Sequence, residues 1–83
     1  MKVNIATALA LAPDTACTMA ESSPTMYTRM IRESLKERVS VETDTGEVSY
    51  VYEDGSNWCI NTQNPIKPEK VLELLFTMYG YGD

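Results

Sequence analysis

The chain has 83 residues, 43% of them hydrophobic and 23% charged, with a formal net charge of −5. Those values fit one small folded domain over 1–83, and they exclude a disordered acidic tail, which carries fewer apolar residues and more charge per residue. No apolar run approaches the ~18 residues that a membrane span needs, so the expected location is the cytoplasm.

Met1-Lys2 followed by Val3 to Ala12 has a faint signal-peptide look. The stretch contains Asn4 and Thr7, and its small-residue site Ala10-Leu11-Ala12 runs straight into Pro13. A folded helix is the better reading. Asn4 is placed to cap a helix through Ile5, Ala8, Leu9 and Leu11. Pro13 ends it, and Asp14 is placed to cap one further turn over Thr15 to Glu21. Ser23-Pro24 is a stronger start signal, an N-cap residue followed by proline at the first helical position. From there the spacing predicts one helix to about Arg38. Met26, Tyr27, Met30, Ile31 and Leu35 lie on one face, with Arg29, Arg32, Glu33, Lys36 and Glu37 on the other.

At Val39 the hydrophobic period changes to two. Val39 and Val41 open a strand, and Asp44-Thr45-Gly46 is turn chemistry. Val48, Tyr50 and Tyr52 then alternate with Glu47, Ser49, Val51 and Glu53. Asp54-Gly55 is a second hairpin turn, and Trp58 and Ile60 share one face of a third strand. The segment Asn64-Pro65-Ile66-Lys67-Pro68 is a stiff connector. The last helix starts near Pro68, and Gly80 is placed to cap its end. The expected fold is α+β: a three-stranded antiparallel meander packed against two to three helices, in the order α-α-β-β-β-α. Trp58 is expected to anchor that sheet against the last helix.

The inventory is poor in chemistry. There is no histidine, which removes the commonest general base and the commonest metal ligand. Cys17 and Cys59 are far from metal-ligand spacing and read as free, buried thiols. Glu42 to Glu53 has the length of a calcium loop, but glycine stands fifth rather than sixth and the segment alternates like a strand. The carboxylate pairs Asp44/Glu47 and Glu53/Asp54 sit at hairpin ends, where water keeps them ionised. The sequence therefore predicts no enzyme and no cofactor or metal.

Binding remains. Arg29, Arg32, Lys36 and Arg38 are four of the seven basic residues. They make the helix over 24–38 a candidate nucleic-acid surface, although Glu33 and Glu37 interrupt it and the whole chain is acidic. Residues 39–56 contain Glu42, Asp44, Glu47, Glu53 and Asp54 with no Lys or Arg, so this stretch accounts for the entire net charge. One reading is protective: charge on sheet edges deters pairing with other sheets. The other is functional. Glu42, Asp44, Glu47, Glu53 and Asp54, with Tyr50 and Tyr52, would form an acidic, aromatic surface that docks on a basic protein partner. A second class of function is assembly. The last helix is apolar at seven of nine positions from Val71 to Tyr79, more than one buried face requires, which suits a homodimer formed through that helix.

In being short, acidic and free of catalytic motifs, the chain resembles the accessory proteins that bacteriophages direct against host machinery, anti-CRISPR proteins among them. The resemblance rests on size and charge and implies an inhibitor that acts by binding; it carries over no site residue.

Overall fold

The computed structural model describes residues 1–80, leaving out the side chains of Glu33 and Ser34. Within them the chain forms β1 (Lys2–Asn4), α1 (Ile5–Leu11), α2 (Pro13–Ser22), α3 (Pro24–Met30), α4 (Glu33–Arg38), β2 (Val39–Glu42), β3 (Glu47–Val51), β4 (Asn57–Asn61) and α5 (Pro68–Gly80). The class is α+β, as the residue pattern implies. The sheet has four strands rather than three, in the order β1-β2-β3-β4, antiparallel throughout. The added strand is β1, which pairs Val3 with Val41 along the free side of β2. Three residues are too few to display an alternation, so the strand exists through its pairing rather than through its own pattern. The order is therefore β-α-α-α-α-β-β-β-α.

Asn4 caps α1 as expected, its Oδ1 accepting from the Thr7 N–H at 2.9 Å. Pro13 separates α1 from α2 but also opens α2 as a first-turn residue, with Ala12 rather than Asp14 at the cap position. Ser23 holds the N-cap position of α3 without a side-chain capping bond. The long helix expected over 24–38 is two helices. The break falls at Ile31 and Arg32, where Arg32 takes φ −54° and ψ 147°. No proline or glycine marks it. Packing explains it: α3 lies against α5 and α2, whereas α4 lies against α1 and the first three strands. One straight helix could not reach both. α5 continues through Gly80, and the cap expected there falls outside the described residues.

The helices cover one face of the sheet. Val3, Val39, Val41 and Val48 reach the core from that face and meet Ile5, Ala8, Met30, Val71, Leu72 and Leu75, all fully buried. Each large aliphatic of that set contributes about 1.5–3 kcal/mol by leaving water. The surplus apolar residues of α5, namely Leu74, Phe76, Met78 and Tyr79, are half-buried and packed against this core. The helical layer stops short of β4. Ile60 stands opposite the fully buried Val48, yet it is 51% exposed. Trp58 is half-buried, so it closes one side of the core instead of lying within it.

The other face of the sheet is open and polar. Its rows run Lys2, Glu42, Glu47, Asn61 and Asn4, Ser40, Ser49, Cys59. Ser40 and Ser49 bridge β2 and β3 with an Oγ–Oγ hydrogen bond of 3.0 Å.

Candidate protein-binding surface

The two hairpin turns place the acidic residues at opposite ends of β3. In the first, over 43–46, the Gly46 N–H donates to the Glu42 carbonyl at 2.7 Å, and Gly46 takes φ +76°, a conformation that glycine adopts without strain. The turn is held from behind. Thr62 donates to the Gly46 carbonyl from both its N–H (3.1 Å) and its Oγ1 (3.0 Å). Ile66 N–H donates to the Thr43 carbonyl at 2.8 Å, which ties the connector to the same turn.

In the second turn the Gly55 N–H donates to the Tyr52 carbonyl at 3.0 Å and the Tyr52 N–H to the Ser56 carbonyl at 2.7 Å. Gly55 has φ +90°. Asp54 Oδ1 accepts from the Ser56 N–H at 2.9 Å and from the Ser56 hydroxyl at 2.6 Å. Those two bonds hold the Asp54 carboxyl below the usual carboxylate range. The turn is thus rigid, and its charge persists into mild acid.

The seven residues singled out in the sequence therefore do not form one surface. Glu42, Asp44 and Glu47 lie at the first turn. Glu42 and Glu47 are cross-strand neighbours on the open polar face, and the Met1 ammonium donates to Glu42 Oε1 and, at 2.7 Å, to Asp44 Oδ2. That contact raises the ammonium's proton affinity and lowers the Asp44 carboxyl, each chiefly through the hydrogen bond between them. Tyr52, Glu53 and Asp54 lie at the second turn, about 17 Å beyond Glu47 at ~3.4 Å per residue, and Tyr50 lies within β3 between the two ends. Tyr50 and Tyr52 follow the parity of Val48 and so belong to the helix-facing side, not to the face that carries Glu42 and Glu47.

At that second end the structure brings together residues the sequence kept apart. Because the helices stop before β4, Tyr50, Tyr52, Glu53, Asp54 and Ser56 join Arg38 from the end of α4 around an open groove of about 620 Å³. Tyr50 and Tyr52 have ring centroids 5.0 Å apart at 57°, and Tyr50 stacks on Trp58 at 6.1 Å and 4°. Arg38 Nη1 donates to the Val51 carbonyl at 3.1 Å, which holds its guanidinium at the sheet's end. Tyr79 of α5 packs against the core behind this cluster. Burial, with Tyr50 and Tyr52 nearby as lesser causes, pushes its phenol up to about 12. The Tyr79 hydroxyl is buried and has no hydrogen-bond partner among the described residues. Nothing in the residue pattern points to Arg38 or Tyr79 here, since both arrive through the way α4 and α5 pack on the sheet.

The remaining candidates are dispersed. The break at Ile31–Arg32 separates Arg29 and Arg32 from Lys36 and Arg38. Arg29 and Arg32 line a second open groove of about 420 Å³ with Thr25 and Thr28, while Arg38 is drawn to the sheet, so the four basic residues do not form a continuous stripe. Cys17 on α2 and Cys59 on β4 are unbridged, and both are exposed rather than buried. Among the described residues no cluster of three or more carboxylates and cysteines is arranged to hold a metal, and no helix is long and apolar enough to cross a membrane. No family model, curated protein or solved structure matches the chain.

Proposed function

We propose that this is a non-enzymatic cytoplasmic protein that acts by binding, and so blocking, another protein that presents a basic segment. The observation that carries the reading is the groove at the second turn: an aromatic pair, with Tyr52 47% exposed, beside Glu53 and Asp54. A lysine or arginine side chain laid on a tyrosine ring gains cation–π attraction of about 0.5–1 kcal/mol when exposed and about 2 when desolvated. The two carboxylates supply charge-assisted acceptors for its N–H groups. They outnumber Arg38, whose guanidinium is already engaged by Val51. The Asp54–Ser56 bonds preorganise the turn, so docking orders little that is not ordered before. Glu42, Asp44 and Glu47 lie too far away to touch the same segment and act by steering its approach. A phage protein directed against host defence, of the anti-CRISPR type, is the biological setting this reading suggests.

The test is titration of a panel of lysine- and arginine-rich peptides against the protein by fluorescence anisotropy. Basic peptides should bind and acidic ones should not. Tyr52→Ala and Glu53→Lys should each weaken binding at least several-fold without lowering the melting temperature. Equal affinity of wild type and both variants would remove the groove from the account.

A further inference from the structure

β4 is an outer strand of the sheet, and the ladder fixes which of its backbone groups are open. Tyr52 N–H bonds to Ser56 and Thr62 N–H to Gly46. In an antiparallel pair, bonded positions recur every second residue. Val48 with Ile60 and Tyr50 with Trp58 are therefore the bonded pairs. The N–H and C=O groups of Asn57, Cys59 and Asn61 project to the open edge.

We propose that the occupant of this edge is a second copy of the same chain, paired antiparallel about a twofold axis at Cys59. The strand reads Asn57-Trp58-Cys59-Ile60-Asn61, which has the same order of residue classes in both directions. A twofold axis at Cys59 sets Asn57 opposite Asn61 of the second copy and Trp58 opposite its Ile60. Both apolar side chains lie on the helix-facing side, so each copy's exposed Ile60 gains cover from the other's half-buried Trp58. The asparagines meet on the polar side. A twofold interface requires this self-complementarity.

The devices that usually block edge pairing are absent from β4. It carries no charge, proline or glycine, although the chain as a whole is at −5. The opposite edge is guarded: β1 has three residues, includes Lys2 and runs directly into α1. The register also keeps like charges apart. It sets the Glu53–Asp54 turn of one copy beside the uncharged 62–65 segment of the other. The product is a continuous eight-stranded sheet with both helical layers on one side. This interface is separate from a dimer through α5.

Sedimentation equilibrium from micromolar to millimolar protein tests the proposal. The mass should rise from 9.3 kDa toward twice that value. Ile60→Lys should hold the chain at the monomer mass with unchanged circular dichroism, since Ile60 contributes little to the core. A short bismaleimide added to Cys17→Ser protein should link two chains through Cys59. Register is read with two double variants: Asn57→Lys/Asn61→Lys, which sets like charges opposite each other, should abolish the dimer, and Asn57→Glu/Asn61→Lys should retain it. A monomer at every concentration, a dimer indifferent to Ile60→Lys, or loss of the dimer in both double variants would overturn the proposal.

Discussion

Gly46 and Gly55 both have positive φ, at +76° and +90°, yet replacing each with alanine should have very different effects. At Gly55 an added Cβ meets nothing within 4 Å, so Gly55→Ala carries the left-handed backbone term alone, about 1–2 kcal/mol. At Gly46 the Cβ would overlap both Thr62 Oγ1 and the carbonyl oxygen of Asn64. The Thr62 hydroxyl cannot swing away without giving up its bond to the Gly46 carbonyl, worth about 1 kcal/mol. The Asn64 oxygen is backbone, so the 62–64 segment must move, straining the connector that Ile66 anchors to Thr43. The first two terms alone bring Gly46→Ala to about 2–3 kcal/mol, and the displaced segment adds to that, against about 1–2 for Gly55→Ala. With roughly 4–8 °C of melting temperature per kcal/mol in a domain of this size, the two mutants should melt at least ~4 °C apart. Urea melts of both proteins, fitted for midpoint and slope, measure the difference. Equal midpoints would show that the 62–64 segment does not close over the first turn, and the described packing of the connector would be wrong.

Tyr79→Phe should leave the fold intact and raise stability by about 1 kcal/mol, because it removes a buried hydroxyl that has no partner; a loss of stability in urea melts would mean the hydroxyl is satisfied. The same residue sets an alkaline limit. Its phenol is raised from 10 to about 12, so the folded state holds this proton more tightly than the unfolded state, and the stabilisation is complete below pH 10 and is lost as pH rises through 12. Melts between pH 9 and pH 12 should show a decline that is shallower in Tyr79→Phe, and identical slopes would contradict the assignment. Trp58→Ala should cost about 2 kcal/mol, roughly half the 3–5 of a fully buried tryptophan, since Trp58 is half-buried and stacked on one face by Tyr50; thermal melts that show no folded protein would place it deep in the core after all.

Much of the fold was legible because it is local. Asn4, Pro13 and Pro24 mark helix boundaries through caps and missing amide hydrogens. The change of period at Val39, with glycines at 46 and 55, defines the meander and both its turns. What escaped is tertiary. Nothing in Lys2-Val3-Asn4 announces a strand, because its hydrogen bonds belong to residues 40–42. The helix break at Ile31–Arg32 has no sequence signal, because it answers to two packing surfaces, one on α5 and one on the sheet. The same limit applies to the candidate surface. Alternation placed Tyr50 and Tyr52 on one side of β3, but only the extent of the helical layer decides that this side is open at β4. Composition gathered five acidic residues into one stretch of sequence, and the length of β3 divides them between two ends of the sheet.

The groove formed by Tyr50, Tyr52, Glu53 and Asp54 is proposed to receive a basic segment of another protein. Its most direct test is the association rate with a partner captured from host lysate, measured from low to high salt for wild type, Glu53→Lys/Asp54→Lys and Arg29→Glu/Arg32→Glu. Screening shortens the Debye length from ~10 Å at 0.1 M to ~3 Å at 1 M, so steering by the acidic residues should fade over that range. The groove variant should associate several-fold more slowly than wild type and with a flatter salt dependence, and the Arg29/Arg32 variant should match wild type. Unchanged association in the groove variant, with binding abolished in the Arg29/Arg32 variant, would contradict this reading and place the partner on the groove lined by Thr25, Thr28, Arg29 and Arg32.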